Sequence, residues 1–215
     1  MSIIRATDLQ FAYPGQPVLL QGINLEIGEG ESVLLKGETG SGKSTLIDLI
    51  LGLRQPLSGS IELDGQAVGS LVASEYRKLW IGRQNAPGNL FGLTPRHDLE
   101  IWQIAHPDRL QGLDYDALAG TLAKLWDSPF GSLSSGELRT FSQILLPLFM
   151  DKFWLLDEPT ASLDAARKEE FVRLCRQKRD SNPGLMIVSH DPILPPDLFD
   201  RVLLLENGSL REVRQ

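Results

Sequence analysis

Apolar residues recur along this chain with two different periods, and the periods divide it into three stretches. Before residue 65 the pattern is mostly that of strands. Ile23-Asn24-Leu25-Glu26-Ile27 alternates with period two, as a half-buried strand does. Residues 28–31 read as a turn, and Ser32-Val33-Leu34-Leu35-Lys36 as a short, mostly apolar strand. A glycine-rich loop and a helix over residues 44–53 follow. Residues 60–63 then run into Asp64-Gly65, a pair that signals a tight hairpin. Residues 87–132 differ. Helical stretches at 98–104 and 115–126 are broken by proline and glycine, the pattern of an inserted helical subdomain. From Ser134 onward helix and strand alternate, with apolar strands at 153–156, 185–188 and 202–205. Apolar strands between helices need cover on both faces, so the pattern predicts a parallel sheet.

Composition narrows the class. The 215 residues suit one domain with a small insertion. A net charge of −7 speaks against a duplex-binding surface, so nucleic acid is not an expected partner. The longest apolar run, 144–150, contains Pro147 and falls far short of the roughly 20 residues that span a bilayer. Met1-Ser2-Ile3-Ile4-Arg5 lacks the apolar core of a signal peptide. Work at a membrane would therefore require a membrane-embedded partner. The single cysteine, Cys175, excludes an internal disulfide framework and a cysteine zinc site. It lies in a helical stretch, 168–179, and reads as a small buried side chain in a reducing, cytoplasmic protein.

Gly37-Glu38-Thr39-Gly40-Ser41-Gly42-Lys43-Ser44-Thr45 matches G-x-x-x-x-G-K-[ST] throughout, between an apolar strand and a helix. Such a loop points its N–H groups at phosphate oxygens, Lys43 reaches the β- and γ-phosphates, and the Ser44 hydroxyl can ligate Mg²⁺. The motif implies a nucleoside triphosphate and Mg²⁺ without naming the reaction. Phe153-Trp154-Leu155-Leu156-Asp157-Glu158 ends an apolar strand in two carboxylates. Asp157 would hold Mg²⁺ directly or through water, and Glu158 would orient or deprotonate an attacking water. Two adjacent acids there favour hydrolysis over transfer to a second substrate. Ser162-Leu163-Asp164 reads as a helix N-cap. His190 closes the strand at 185–189, at the rim where α/β sheets bind ligands, and is a candidate γ-phosphate contact. His97 and His106 have no such placement.

Between the loop and the acidic strand lies Leu133-Ser134-Ser135-Gly136-Glu137, 20 residues before Asp157 counted from Glu137. With the motifs above, this resembles the signature of ATP-binding cassette (ABC) ATPases, and the resemblance covers essentially the whole chain. It implies an α/β fold: a P-loop NTPase core (residues 1–86 and 133–215) with an N-terminal antiparallel β subdomain and the helical insertion at 87–132. It also implies ATP and Mg²⁺ as ligands. By resemblance, Tyr13 stacks on adenine, the alternative being a core or edge tyrosine. Gln84 touches Mg²⁺ and relays its presence to the insertion, Asp164 is the D-loop aspartate, and His190 is the switch histidine.

The signature residues Ser134, Ser135, Gly136 and Glu137 open a helix, itself an anion site. Because the chain already has a phosphate loop, the resemblance implies a second subunit, in a homodimer or heterodimer. Each site then takes Lys43 and Glu158 from one chain and Ser134 from the other. ATP would close the pair and hydrolysis open it, driving a membrane-embedded subunit from the cytoplasmic face. Departures from the family pattern are Ser135 for glycine, Glu137 for glutamine on what reads as an exposed turn, Thr140 and Leu145 where arginines are usual, and Pro147 inside the helix, which should kink or end it. Phe11-Ala12-Tyr13-Pro14-Gly15 and Leu90-Phe91-Gly92-Leu93-Thr94 are similar to importer ATPases of the energy-coupling type. The exposed apolar pair Leu90 and Phe91 would meet the membrane partner. A soluble mechanical ABC ATPase, and a P-loop kinase of a small metabolite, are the alternatives. The kinase leaves residues 133–137 unexplained.

Overall fold

In the computed structural model, residues 2–71, 79–82, 92–105, 107–110, 122–123, 125–161, 163–180 and 184–213 are described. In chain order they form β1 (Ser2–Ala12), β2 (Val18–Gly28), β3 (Ser32–Lys36), α1 (Lys43–Ile50), β4 (Ser58–Leu63), β5 (Gln66–Ala67) and β6 (Leu79–Gly82). Then come α2 (Pro95–Ala105), α3 (Pro107–Leu110), α4 (Ser135–Leu145), β7 (Phe153–Asp157), α5 (Ala165–Arg179), β8 (Leu185–Val188), β9 (Arg201–Glu206) and β10 (Ser209–Val213).

The early strands make an antiparallel sheet in the order β2-β1-β4-β5. In β2 the expected alternation holds: Ile23, Leu25 and Ile27 are buried, while Asn24 and Glu26 are exposed. Asp64 and Gly65 take φ of 50° and 76° and join Leu63 to its partner Gln66, the two-residue turn whose twist matches a hairpin.

The later strands and β3 make a six-stranded sheet, β10-β9-β3-β8-β7-β6, parallel from β9 to β6 with β10 antiparallel on the edge. Every residue of β7 and β8 is buried, as a covered parallel sheet requires. Because successive side chains point to opposite faces, each strand feeds two cores. Val33, Leu35, Phe153, Leu155, Met186 and Val188 pack with α1 and the antiparallel sheet. Leu34, Trp154, Leu156, Leu185 and Ile187 pack with Phe141 and Leu145 of α4 and with Phe171 and Cys175 of α5. Cys175 is fully buried, and burial raises its thiol pKa far above the ordinary value.

Some elements end earlier than their patterns suggest, for local reasons. The first helix stops at Ile50 rather than residue 53. Gly52 turns left-handed at φ 68°, and the Gly52 and Leu53 N–H groups donate back to Leu49 and Asp48 carbonyls, which closes the helix end. The signature helix α4 stops at Leu145, and residues 146–149 tighten into a 3₁₀ turn that contains Pro147. Proline has no N–H to donate and its ring opposes the carbonyl four residues back. The helix expected at 98–104 is present as α2, and it buries Leu99 and Trp102 in the second core, where Trp102 meets Phe149 edge-on at 4.7 Å. Of the stretch expected to be helical at 115–126, residues 115–121 and 124 lie outside the described residues, and 122–123 and 125–126 form turns in which Leu125 and Trp126 N–H donate to the Leu122 carbonyl. Among the described residues, no helix is long and apolar enough to cross a membrane.

Candidate active site

The phosphate loop joins the C-terminal end of β3 to α1, so its amides face the sheet's carboxyl edge. Two glycines are required by geometry. A Cβ at Gly37 would sit 2.5 Å from the Leu205 carbonyl oxygen. Gly42, the N-cap of α1, has φ 104°, and a Cβ there would meet Leu20 at 2.8 Å. Lys43 arches back over the loop, its Nζ donating to the Gly37 and Glu38 carbonyls at 2.8 Å each. Those bonds use two of its three hydrogens and aim the third outward.

A cavity of about 540 Å³ opens in front of this loop. It is lined by Tyr13 from the turn after β1, by Thr39, Gly40, Lys43, Ser44 and Thr45, and by Asp157, Glu158 and His190 from the ends of β7 and β8. The Tyr13 hydroxyl lies 3.0 Å from Thr45 Oγ1, the ring stands edge-on to Phe11 at 5.1 Å, and the Arg54 guanidinium covers one face at 4.8 Å. Tyr13 thus meets the cavity between Phe11 and Arg54. Arg54 is itself held by Asp48 at 2.9 Å.

Glu158 is the most constrained residue of the site. Its side chain is 7% exposed while that of His190 is 74% exposed, and the two meet at 2.7 Å between Oε1 and Nδ1. The Ser189 hydroxyl donates to Oε2 at 3.0 Å, so both carboxylate oxygens are held. The backbone takes φ 48°, a conformation non-glycine residues adopt only where the surroundings impose it. Its N–H donates to the Val188 carbonyl at 2.8 Å. Asp157, buried at the end of β7, lines the same cavity.

Ser134, Ser135, Gly136 and Glu137 do not line that cavity. Ser134 is the N-cap of α4 and forms a reciprocal capping box with Glu137. The Ser134 amide and hydroxyl donate to Glu137 Oε2 at 2.8 and 2.7 Å, and the Glu137 N–H donates back to Ser134 Oγ at 3.3 Å. Glu137 is thus tied to the signature serine, and these bonds hold its carboxyl below the ordinary range. The S-x-x-E spacing of Ser134 and Glu137 carries this signal in the sequence. Asp164 caps α5, accepting from the Arg167 N–H at 2.9 Å, and stays largely exposed. Gln84, Leu90 and Phe91 lie outside the described residues.

Four contributors escape the motif reading. Arg54 covers Tyr13, and Ser189 holds Glu158. Arg139 and Gln143 of α4 reach the peptide after Glu158, at the Ala161 and Pro159 carbonyls. On a helix the last two read as solvated polar residues, and only packing reveals them.

The family model described as ABC transporter matches residues 20–161, from β2 through the phosphate loop, the signature and the acidic strand. The chain belongs to the ABC transporter family. It is 30% identical over 220 residues to the hemin import ATP-binding protein HmuV of Rhodococcus jostii, covering 95% of this chain and 72% of that protein. It is equally identical to the cobalt import ATP-binding protein CbiO of Rhodobacter capsulatus over 213 residues, 96% of this chain and 76% of that one. The cytochrome c biogenesis ATP-binding export protein CcmA of Agrobacterium fabrum is 30% identical over 183 residues, covering 83% of this chain and 85% of its own. In fold, the chain resembles an ATP-binding subunit of an ABC transporter with a TM-score of 0.81 at 20% identity, over 98% of this chain and 89% of that one. It likewise resembles a dimeric ATP-binding cassette bound to ADP and Pi, with a TM-score of 0.74 at 24% identity and 99% coverage of both chains. This ABC chain is therefore an ATP-binding, ATP-hydrolysing subunit of the transporter type, with the α/β P-loop fold its motifs imply. The match spans residues 133–137, which a small-metabolite kinase leaves without a role.

Proposed function

We propose that the 540 Å³ cavity binds Mg·ATP with the triphosphate on Gly37, Glu38, Thr39, Gly40, Ser41, Gly42, Lys43, Ser44 and Thr45 and the adenine against the Tyr13 ring, which lines the cavity. The Ser44 hydroxyl and the Asp157 carboxylate are hard oxygen donors lining one cavity, a fitting partial set for Mg²⁺ completed by phosphate oxygens and water. Bound there, the ion would offset charge on the phosphates. Glu158 acts as general base toward water, and His190, exposed on the cavity side and bonded to Glu158, reaches the γ-phosphate. The single observation carrying this reading is the Glu158–His190 pair at 2.7 Å on the cavity wall shared with Lys43.

The signature residues, with Ser134 and Ser135 exposed, lie outside their own chain's cavity, so they are free to close over the nucleotide of another subunit. We infer a head-to-tail pair, with a second copy or a related ATPase subunit, whose closing on ATP and opening after hydrolysis moves a membrane-embedded subunit from its cytoplasmic face. Import and export relatives at the same 30% identity support a shared nucleotide cycle beneath different cargoes. The division into core and insertion serves that coupling, with Asp164 near the facing subunit.

The test is Glu158→Gln. Loss of a general base lowers hydrolysis by ~10²–10⁴-fold. ATP affinity should persist, and gel filtration with Mg·ATP should show roughly doubled mass. Hydrolysis at the wild-type rate would remove Glu158 from the mechanism.

A further inference from the structure

Glu158 needs more than its own neighbours to keep φ at 48°, because the left-handed region is unfavourable for a residue with a Cβ. The peptide leaving it turns at once: the Ala161 N–H donates to the Glu158 carbonyl at 3.2 Å and the Leu163 N–H to the Thr160 carbonyl at 3.3 Å. The remaining carbonyls of this turn are taken by α4. Gln143 Nε2 donates to the Pro159 carbonyl at 3.1 Å, and Arg139 Nη1 donates to the Ala161 carbonyl. The two residues are four apart and share one face of the helix.

Arg139 is only 9% exposed. Burying a guanidinium is costly unless opposite charge and acceptors surround it. The charges that offset the cost are Asp157 and Glu158, the two carboxylates of the cavity. A buried cation beneath the catalytic carboxylates, bonded to the turn that follows them, is an expensive feature for a helix that already buries Phe141 and Leu145 in the core.

We propose that Arg139 is a positioning residue for Glu158: with Gln143 it clamps the Pro159–Ala161 turn to α4 and thereby holds the Glu158 carboxylate aimed into the cavity. It is not among the residues that line the nucleotide cavity, and it acts through Glu158. The proposal rests on the reading of Glu158 as the base.

The experiment measures kcat and KM for Mg·ATP on the full chain, and the Kd for ATP in EDTA. Arg139→Met should lower kcat about 10- to 100-fold, the cost of misplacing a reacting group by about an ångström, with Kd nearly unchanged. Arg139→Lys, which keeps a cation and a donor, should recover part of the loss. Combined with Glu158→Gln, Arg139→Met should add almost nothing, because residues acting through one group are not additive. A folded Arg139→Met protein with wild-type kcat, or a double variant in which the two losses multiply, overturns the proposal. If Arg139→Met does not fold, Gln143→Ala carries the same cycle, with a smaller loss of kcat that must also vanish in the Glu158→Gln background. A single Glu158→Gln variant with wild-type hydrolysis fails differently, striking the base assignment itself.

Discussion

Lys43 shows how a single side chain does two jobs. It closes the phosphate loop on the Gly37 and Glu38 carbonyls and presents its remaining hydrogen to the cavity. Lys43→Ala should therefore weaken ATP binding strongly in an equilibrium titration, and a folded variant with unchanged ATPase activity would contradict the site assignment. Glu137 is the converse case, a departure from the family pattern that the fold absorbs as the second half of a capping box. Its folded-state pKa lies below the ordinary value of 4.5 because the Ser134 hydroxyl and amide donate to it. The stability it adds is complete above the unfolded pKa and is lost as pH falls through the lower folded value. Glu137→Gln should flatten the acid limb of the urea-midpoint against pH curve. An unchanged limb would mean the capping box is not populated in solution.

Among the elements, α4 and α5 flank the same face of the parallel sheet, and what joins them to it is partly polar. Lys178 near the end of α5 is fully buried, donates to the Met150 carbonyl at 2.8 Å, and lies 5.5 Å from the Trp154 ring. Burial pushes its pKa from 10.5 down to about 8, against the pull of Asp151. Between those values the unfolded chain holds a proton that the folded chain has shed, so folding stability should rise as pH increases from about 8 toward 10.5. Urea midpoints across that window check this. Lys178→Met should remove the rise, and a persistent rise would assign it to other groups.

For the whole molecule, the proposed head-to-tail pair uses a surface that a single chain leaves outside its own cavity. Ser134 and Ser135 are exposed at the start of α4 and lie outside the chain's own nucleotide cavity. Ser134→Arg should abolish the ATP-dependent dimer of the Glu158→Gln protein, because a bulky cation would replace a small donor at the facing phosphate. Light scattering with and without Mg·ATP reads the outcome. A dimer that survives Ser134→Arg would place the contact elsewhere.

The sequence by itself determined whatever depends on short-range pattern. Period-two alternation located β2, contiguous apolar runs located β3, β7 and β8, and Asp64-Gly65 located a turn that needs two positive φ angles. The phosphate loop and the paired carboxylates at Asp157 and Glu158 are equally local, because spacing along one strand or loop sets their geometry. The resemblance implied that Tyr13, Lys43, Glu158 and His190 serve one site, but tertiary structure decided which distant groups bond to one another. His190 meets Glu158 across 32 positions, Tyr13 meets Thr45 across 32, and Arg139 reaches Ala161 across 22. Those distances follow from the strand order β3-β8-β7 and from how α4 packs on the sheet. No period in the chain encodes them, since a helical arginine facing solvent and one facing a buried turn have the same local pattern, and only the burial of the surrounding apolar faces selects between them.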